Sequence, residues 1–317
     1  TPCGTLFPYT TLFRSDANFG IDYGNLTGTL RWNHLFNDKL FMNTALVYND
    51  YEFSFGGREL GLEADIFSGV QDWNFKLDFD YYPNYRNHLK FGASATYHEV
   101  TPNSASIVSN NGEISFSNDR ELVPRYAVEL AAYVLDDIKL NDRLGINLGM
   151  RVSSYTHLGP YLRNDGERID AFEPVQTYFG FEPRFIGRYS LAADKSIKTS
   201  FALTNQFLHL VSNTTTSLPL DIWVASTDVI KPQFGGQFAV GYFQNFADNM
   251  FETSVETYYR VLRNQIEYSE TYVNDPTSSI EDQFVFGQGR AYGLELFLKK
   301  RKGDLTGWIS YTLSRTE

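Results

Sequence analysis

The chain has 317 residues and could hold one large β-barrel or two ordinary domains; its formal net charge of -11 argues against nucleic acid as the main partner, where a basic face is the usual footprint. Its single cysteine, Cys3, excludes an internal disulfide framework and any CxxC zinc or redox centre. The longest apolar run, Leu130–Leu135, is far below the roughly 18 residues of a membrane helix, which excludes a helical span but not a barrel.

Thr1 to about Ser15 shows no clean period and reads as a foreign leader; no basic segment followed by a long apolar core opens the chain. From about Phe19 a period of two begins. Leu26, Gly28, Leu30 and Trp32 oppose Thr27, Thr29, Arg31 and Asn33, up to a turn at Asn37-Asp38-Lys39. Leu40, Met42, Leu46 and Tyr48 lead the return strand, and a polar, Gly-bearing loop is expected around Phe55–Asp65. Trp73, Phe75, Leu77, Phe79 and Tyr81 then alternate with Asn74, Lys76, Asp78 and Asp80, closed by Pro83-Asn84. Leu89, Phe91, Ala93, Ala95 and Tyr97 follow, and a Ser- and Asn-rich link is expected over Val100–Leu122.

Two further strands flank Asn141-Asp142, with Val128, Leu130, Ala132 and Val134 on one and Leu144, Ile146, Leu148 and Met150 on the other. A polar link, Leu158–Gln176, precedes strands near Tyr178–Leu191 and Ile197–Leu208 around Ala193-Asp194-Lys195. After a long segment, His209–Lys231, comes a pair around Asp248-Asn249, a link over Ser269–Asp282, and a last hairpin turning at Gly303-Asp304.

This pattern predicts about twelve long strands joined by short turns at one end and longer loops at the other, which is the outer-membrane barrel signature. The apolar sides would meet lipid. The opposite sides carry Lys90, Arg151, Lys198, Glu252, Glu256, Arg260 and Glu295, expected to face an aqueous lumen together with Lys76, Asp78, Asp80 and Glu129. The expected fold is therefore all-β: a transmembrane, antiparallel, up-and-down barrel in part, with long extracellular loops and short periplasmic turns. A soluble β-rich carbohydrate-binding module would alternate similarly with the apolar face inward, and a passive porin-like barrel shares every feature so far.

Five dispersed histidines (His34, His88, His98, His157, His209) form no nucleophile or metal motif, so neither an enzyme nor a cofactor is expected. The best ligand candidates are His209, Asp221 and Trp223, in a long segment on the side where an outside ligand arrives.

Several tracts are distinctive: Glu182-Pro183-Arg184, Asn205-Gln206-Phe207-Leu208-His209-Leu210, Pro219-Leu220-Asp221-Ile222-Trp223-Val224, Ile230-Lys231-Pro232-Gln233, and Gly289-Arg290-Ala291-Tyr292-Gly293-Leu294-Glu295 leading into Leu305–Arg315. Together they make Asp16–Glu317 resemble the barrel of TonB-dependent receptors from Bacteroidetes-type bacteria. The resemblance implies an internal piece of a barrel of about 22 strands whose lumen holds a plug. It also implies energised uptake of a nutrient through TonB, with TonB, the plug and outer-membrane lipid as partners.

Overall fold

The computed structural model describes residues 18–59, 62–109, 124–163, 165–211, 222–269 and 280–317. Thr1–Ser15 and Asp221 lie outside them.

Twelve strands form one antiparallel sheet. The first four are β1 (Asn18–Asn37), β2 (Leu40–Glu59), β3 (Leu62–Asn84) and β4 (Asn87–Ser109); then come β5 (Arg125–Lys139) and β6 (Leu144–Leu158). A short ribbon of β7 (Tyr161–Leu162) and β8 (Arg168–Ile169) interrupts before β9 (Pro174–Ala192) and β10 (Lys195–Gln206). A second ribbon, β11 (Leu208–Val211) with β12 (Ile222–Ala225), precedes β13 (Gln233–Phe246), β14 (Phe251–Tyr268), β15 (Phe284–Lys300) and β16 (Gly307–Thr316). Sheet order follows chain order, β1-β2-β3-β4-β5-β6-β9-β10-β13-β14-β15-β16, so the topology is up and down, as expected. Among the described residues β1 pairs only with β2 and β16 only with β15, leaving two edges.

Three of the short turns share one device. Asn37 Oδ1 accepts from the amides of Lys39 and Leu40 (2.9 and 3.1 Å), Asn84 Oδ1 from Arg86 and Asn87 (2.8 and 3.1 Å), and Asn141 Oδ1 from Arg143 and Leu144 (both 2.9 Å). An asparagine that caps its own turn satisfies amides the ladder has released. The β13–β14 turn instead places Ala247, Asp248 and Asn249 at positive φ, where Asp and Asn are the better tolerated.

Two expected loops are corrected. The β2–β3 ladder continues to the pair Glu59↔Leu62, so Phe55–Asp65 is mostly strand. β4 likewise pairs with β3 as far as Leu62↔Ser109, removing the first part of the expected Val100–Leu122 link. Gly, Ser and Asn made these stretches read as loops. A neighbouring strand that offers its backbone groups outweighs that weak preference.

The register carries one face through all twelve strands. Leu30, Leu46, Phe75, Ala95, Leu130, Ser154 and Phe179 are successive cross-strand partners, and so are Phe201, Phe238, Tyr259, Tyr292 and Arg315 further along. This face stays open to the surroundings: Leu30, Leu130, Phe179 and Phe238 are all exposed. No second layer covers it among the described residues.

The sheet is curved. One side of β12 packs Trp223 and Ala225 with Val70 and Val100 of β3 and β4, while its other side packs Ile222 and Val224 with Phe284, Ile266 and Tyr268 at the tips of β15 and β14. β4 and β14 stand six places apart in the sheet, about 29 Å if it were flat at ~4.8 Å per strand. A single ribbon packs about 10 Å from each neighbouring layer, so it touches both only if the sheet bends around it. The face bearing Val70 and Val100 is therefore concave. The buried clusters gather at the long-connection end, where a third joins Ala127, Tyr155 and Phe207 with Tyr178, and a fourth joins Tyr161, Ile169 and Val175.

Candidate functional site: the concave wall and its roof

A strand with one apolar flank must put its polar residues on the other, and a curved sheet gathers those residues onto its inner wall. Across β3, β4, β5, β6 and β9 they form a belt of alternating charge. Asp72 meets His98 Nδ1 at 2.7 Å, and His98 Nε2 lies 3.9 Å from Glu129. Arg151 bridges Glu129 at 3.2 Å and Glu182 at 3.8 Å. Ser153 adds a 3.3 Å hydrogen bond to Glu182, which is almost fully buried. Gly180 makes room for this convergence, because a Cβ there would collide with Ser153 Oγ and crowd Asn205. Closer to the short turns, Lys76 pairs with Asp78 at 3.2 Å, and Asp80 takes His88 at 2.7 Å and Lys90 at 3.6 Å.

Of the charged residues expected on the lumen side, the seven first named fall as follows. Lys90 and Arg151 belong to the network just described. Lys198 sits 4.0 Å above the Phe243 ring, and Arg260 donates to Gln237 Oε1 at 3.0 and 2.7 Å. Glu252 pairs with Arg301, and Glu256 accepts from Ser254 at 3.0 Å. Glu295 stands directly opposite Glu256 in the ladder. All seven share the concave side by register. A cavity of about 370 Å³ opens in this wall, lined by Glu129, Arg151, Glu182, Arg184, Thr204 and Phe207 among others.

The β11–β12 ribbon roofs the wall at the long-connection end. Phe207 leads into it and stacks on Tyr155 with ring centres 4.9 Å apart. His209 is fully buried, with Nε2 2.9 Å from Ser226 Oγ. Burial pushes its pKa down from 6.5 to about 4, so the ring is neutral near pH 7. Trp223 is half-buried against Val70 and Val100. The structure thus uses His209 and Trp223 to hold the roof, and Asp221 lies outside the described residues.

Sequence reasoning missed a cluster that joins the connections above the wall. Tyr161, from the β6–β9 connection, places its hydroxyl 2.8 Å from Asp228 Oδ1 and 2.9 Å from Glu281 Oε2. Arg125 Nε lies 3.9 Å from Glu281, and Arg163 Nε lies 3.6 Å from Asp228. Burial of Glu281 raises its pKa above the usual carboxylate range, although Arg125 opposes the shift. No spacing in the chain marks these residues, since Tyr161 is 67 positions from Asp228 and 120 from Glu281.

Among the described residues no group of three or more His, Cys, Asp or Glu stands together as a metal site. The arrangement offers a concave wall of paired charges and a packed roof, with the His209–Ser226 contact sealed inside the roof.

Residues 4–317 match the sequence model of the family described as TonB dependent receptor-like, beta-barrel. No curated protein matches the sequence. Among solved structures, the copper transporter OprC superposes with a TM-score of 0.63 at 15% identity, over 93% of this chain and 48% of that one. The ferric yersiniabactin uptake receptor FyuA from Yersinia pestis gives 0.57 at 16%, over 95% and 43%. The ferric preacinetobactin receptor BauA from Acinetobacter baumannii gives 0.57 at 13%, over 93% and 45%. At these identities the likeness is one of fold, and this chain spans less than half the length of each of the three.

Proposed function

The chain belongs to the TonB-dependent receptor-like β-barrel family, and from that premise we propose that it forms part of the barrel of a bacterial outer-membrane receptor that takes up a nutrient. Residues 16–317 supply one arc of the barrel wall, of the Bacteroidetes type. The lumen holds a plug, TonB supplies the energy, and lipid solvates the convex side. The chain's own chemistry is positioning and solvation, with no covalent step.

One observation carries this reading above all: the apolar flank runs in register through twelve strands and stays uncovered, while the opposite flank is charged and concave. In water, an uncovered band of this size would drive association, whereas hydrocarbon is its natural solvent. A soluble carbohydrate-binding module would bury that flank under a second layer, and a passive porin would need neither plug nor energy.

The test uses the full-length protein. The receptor reading predicts a membrane-fraction protein whose gel mobility changes on heating and whose ligand uptake stops when TonB is removed. A soluble monomer contradicts the barrel. Uptake that survives loss of TonB contradicts energised transport and favours the porin.

A further inference from the structure

The roof carries a proton-counting problem. A tyrosine hydroxyl has one hydrogen to donate, yet Tyr161 Oη lies at hydrogen-bond distance from two carboxylates, Asp228 at 2.8 Å and Glu281 at 2.9 Å. With both ionised, one of these contacts would press two unshared oxygens together away from water. A proton held by one of the carboxyls removes that clash. Glu281 is 4% exposed, whereas Asp228 keeps about a quarter of its side chain in solvent and has Arg163 beside it at 3.6 Å. A proton on Glu281 would turn the Tyr161–Glu281 contact around, so that Glu281 donates to Tyr161 and Tyr161 donates to Asp228.

We propose that Tyr161, Asp228 and Glu281 form a proton-operated clasp: a proton held on Glu281 ties three outer connections together across the mouth, and its loss frees them. The three residues come from the β6–β9, β12–β13 and β14–β15 connections. Asp228 lies between Thr227 and Ile230, which are joined by a 2.9 Å backbone hydrogen bond, and Tyr178 holds the Thr227 carbonyl at 2.7 Å. Glu281 lies three residues before Phe284, which packs on the roof ribbon. Releasing the clasp therefore loosens the ribbon from the β14 and β15 tips.

The surrounding groups set its direction. Burial and Asp228 raise the pKa of Glu281, while Arg125 and the Tyr161 and Thr227 hydroxyls, which favour the ionised form, lower it; the balance is upward. Arg163 is shared between Asp228 and Glu167, at 2.6 Å from the latter. His157 presents its buried ring to the Tyr161 ring at 4.8 Å. A carboxyl whose pKa is raised on closure favours the closed state fully at low pH, and that contribution is lost as the pH climbs through the raised value.

The test is amide hydrogen exchange of the 226–230 segment in the bilayer-embedded protein, corrected for the intrinsic pH dependence of exchange. The wild type should show an opening constant rising by up to about tenfold per pH unit above the ordinary carboxylate range. Glu281→Gln, which is neutral and still donates to Tyr161, should stay closed with a flat profile. Asp228→Asn, a second variant should the first fail to assemble, should move the rise to lower pH. The infrared carbonyl band of a protonated carboxyl should persist in the wild type above the ordinary carboxylate range and be missing in Glu281→Gln. A flat wild-type profile, equal slopes in wild type and Glu281→Gln, an unmoved rise in Asp228→Asn, or no such band overturns the proposal.

Discussion

Tyr133 on β5 donates a 2.5 Å hydrogen bond to Asp78 on β3, reaching across the strand between them. Gly92 on β4 lies directly opposite both residues in the ladder. A Cβ there would collide with the Leu77 carbonyl oxygen and crowd the Tyr133 ring. The glycine is thus what lets three strands share one aromatic crosslink on the concave wall.

Gly92→Ala should therefore destabilise the sheet by about 1–3 kcal/mol, the usual cost of overpacking. Gly28→Ala is the control, because nothing lies within 4 Å of its added Cβ. Unfolding titrations in lipid vesicles should separate the two. Equal midpoints would show that Tyr133 and Leu77 move aside without cost.

The two faces of β10 should respond oppositely to charge. Phe201 lies on the convex side and Ala202 beside it on the concave side, next to an open cavity with Ser200 and Thr204. Phe201→Arg should lose about 2–4 kcal/mol if that position sits near the bilayer midplane, and Ala202→Arg much less. Vesicle-folding titrations that give the same loss for both contradict the face assignment.

Arg151 should matter through what it leaves behind. Arg151→Met strands Glu182, 5% exposed, with no cation beside it, at a cost of about 1–3 kcal/mol or more for a charged acceptor. Adding Glu182→Gln should recover part of the loss, because the two residues are coupled. A purely additive double variant would mean that Arg151 acts through packing alone.

Acid should loosen the roof at His209. Its pKa falls from 6.5 to about 4 on burial, so the buried state refuses a proton that the released state accepts. The histidine's contribution to closure is full above about pH 6.5 and declines, by up to about tenfold per pH unit, as the pH falls towards 4. His209→Gln should abolish this acid sensitivity in limited proteolysis of the β11–β12 ribbon. The effect opposes that of Glu281, so the two variants should flatten opposite limbs of one pH profile.

Much of this architecture was legible in the chain because each signal was local. Glu129, Leu130, Ala131 and Ala132 alternate on β5 as a half-wet strand must, and Asn37, Asn84 and Asn141 mark turns that depend on their own side chains. The extension of β2, β3 and β4 past Phe55 and Val100 was not legible, since polar residues pair there through backbone groups that composition does not reveal. His209 and Trp223 stood out as chemically capable residues, yet capability says nothing about burial, and both hold the roof. The Tyr161–Glu281 contact was invisible for a simpler reason: only the folded connections bring those residues within reach.

Hydrocarbon should touch the convex face, and a cysteine scan along β5 reads that contact residue by residue. With Cys3 replaced by Ser, single cysteines from Val128 to Leu135 carry a spin label in the bilayer-embedded protein. Collisions are counted with oxygen, which partitions into lipid, and with a water-soluble nickel complex. A period of two is expected, with Val128, Leu130, Ala132 and Val134 favouring oxygen and Glu129, Ala131 and Tyr133 favouring nickel or neither. Shielding of the first series from oxygen, as under a second layer of protein, would contradict it.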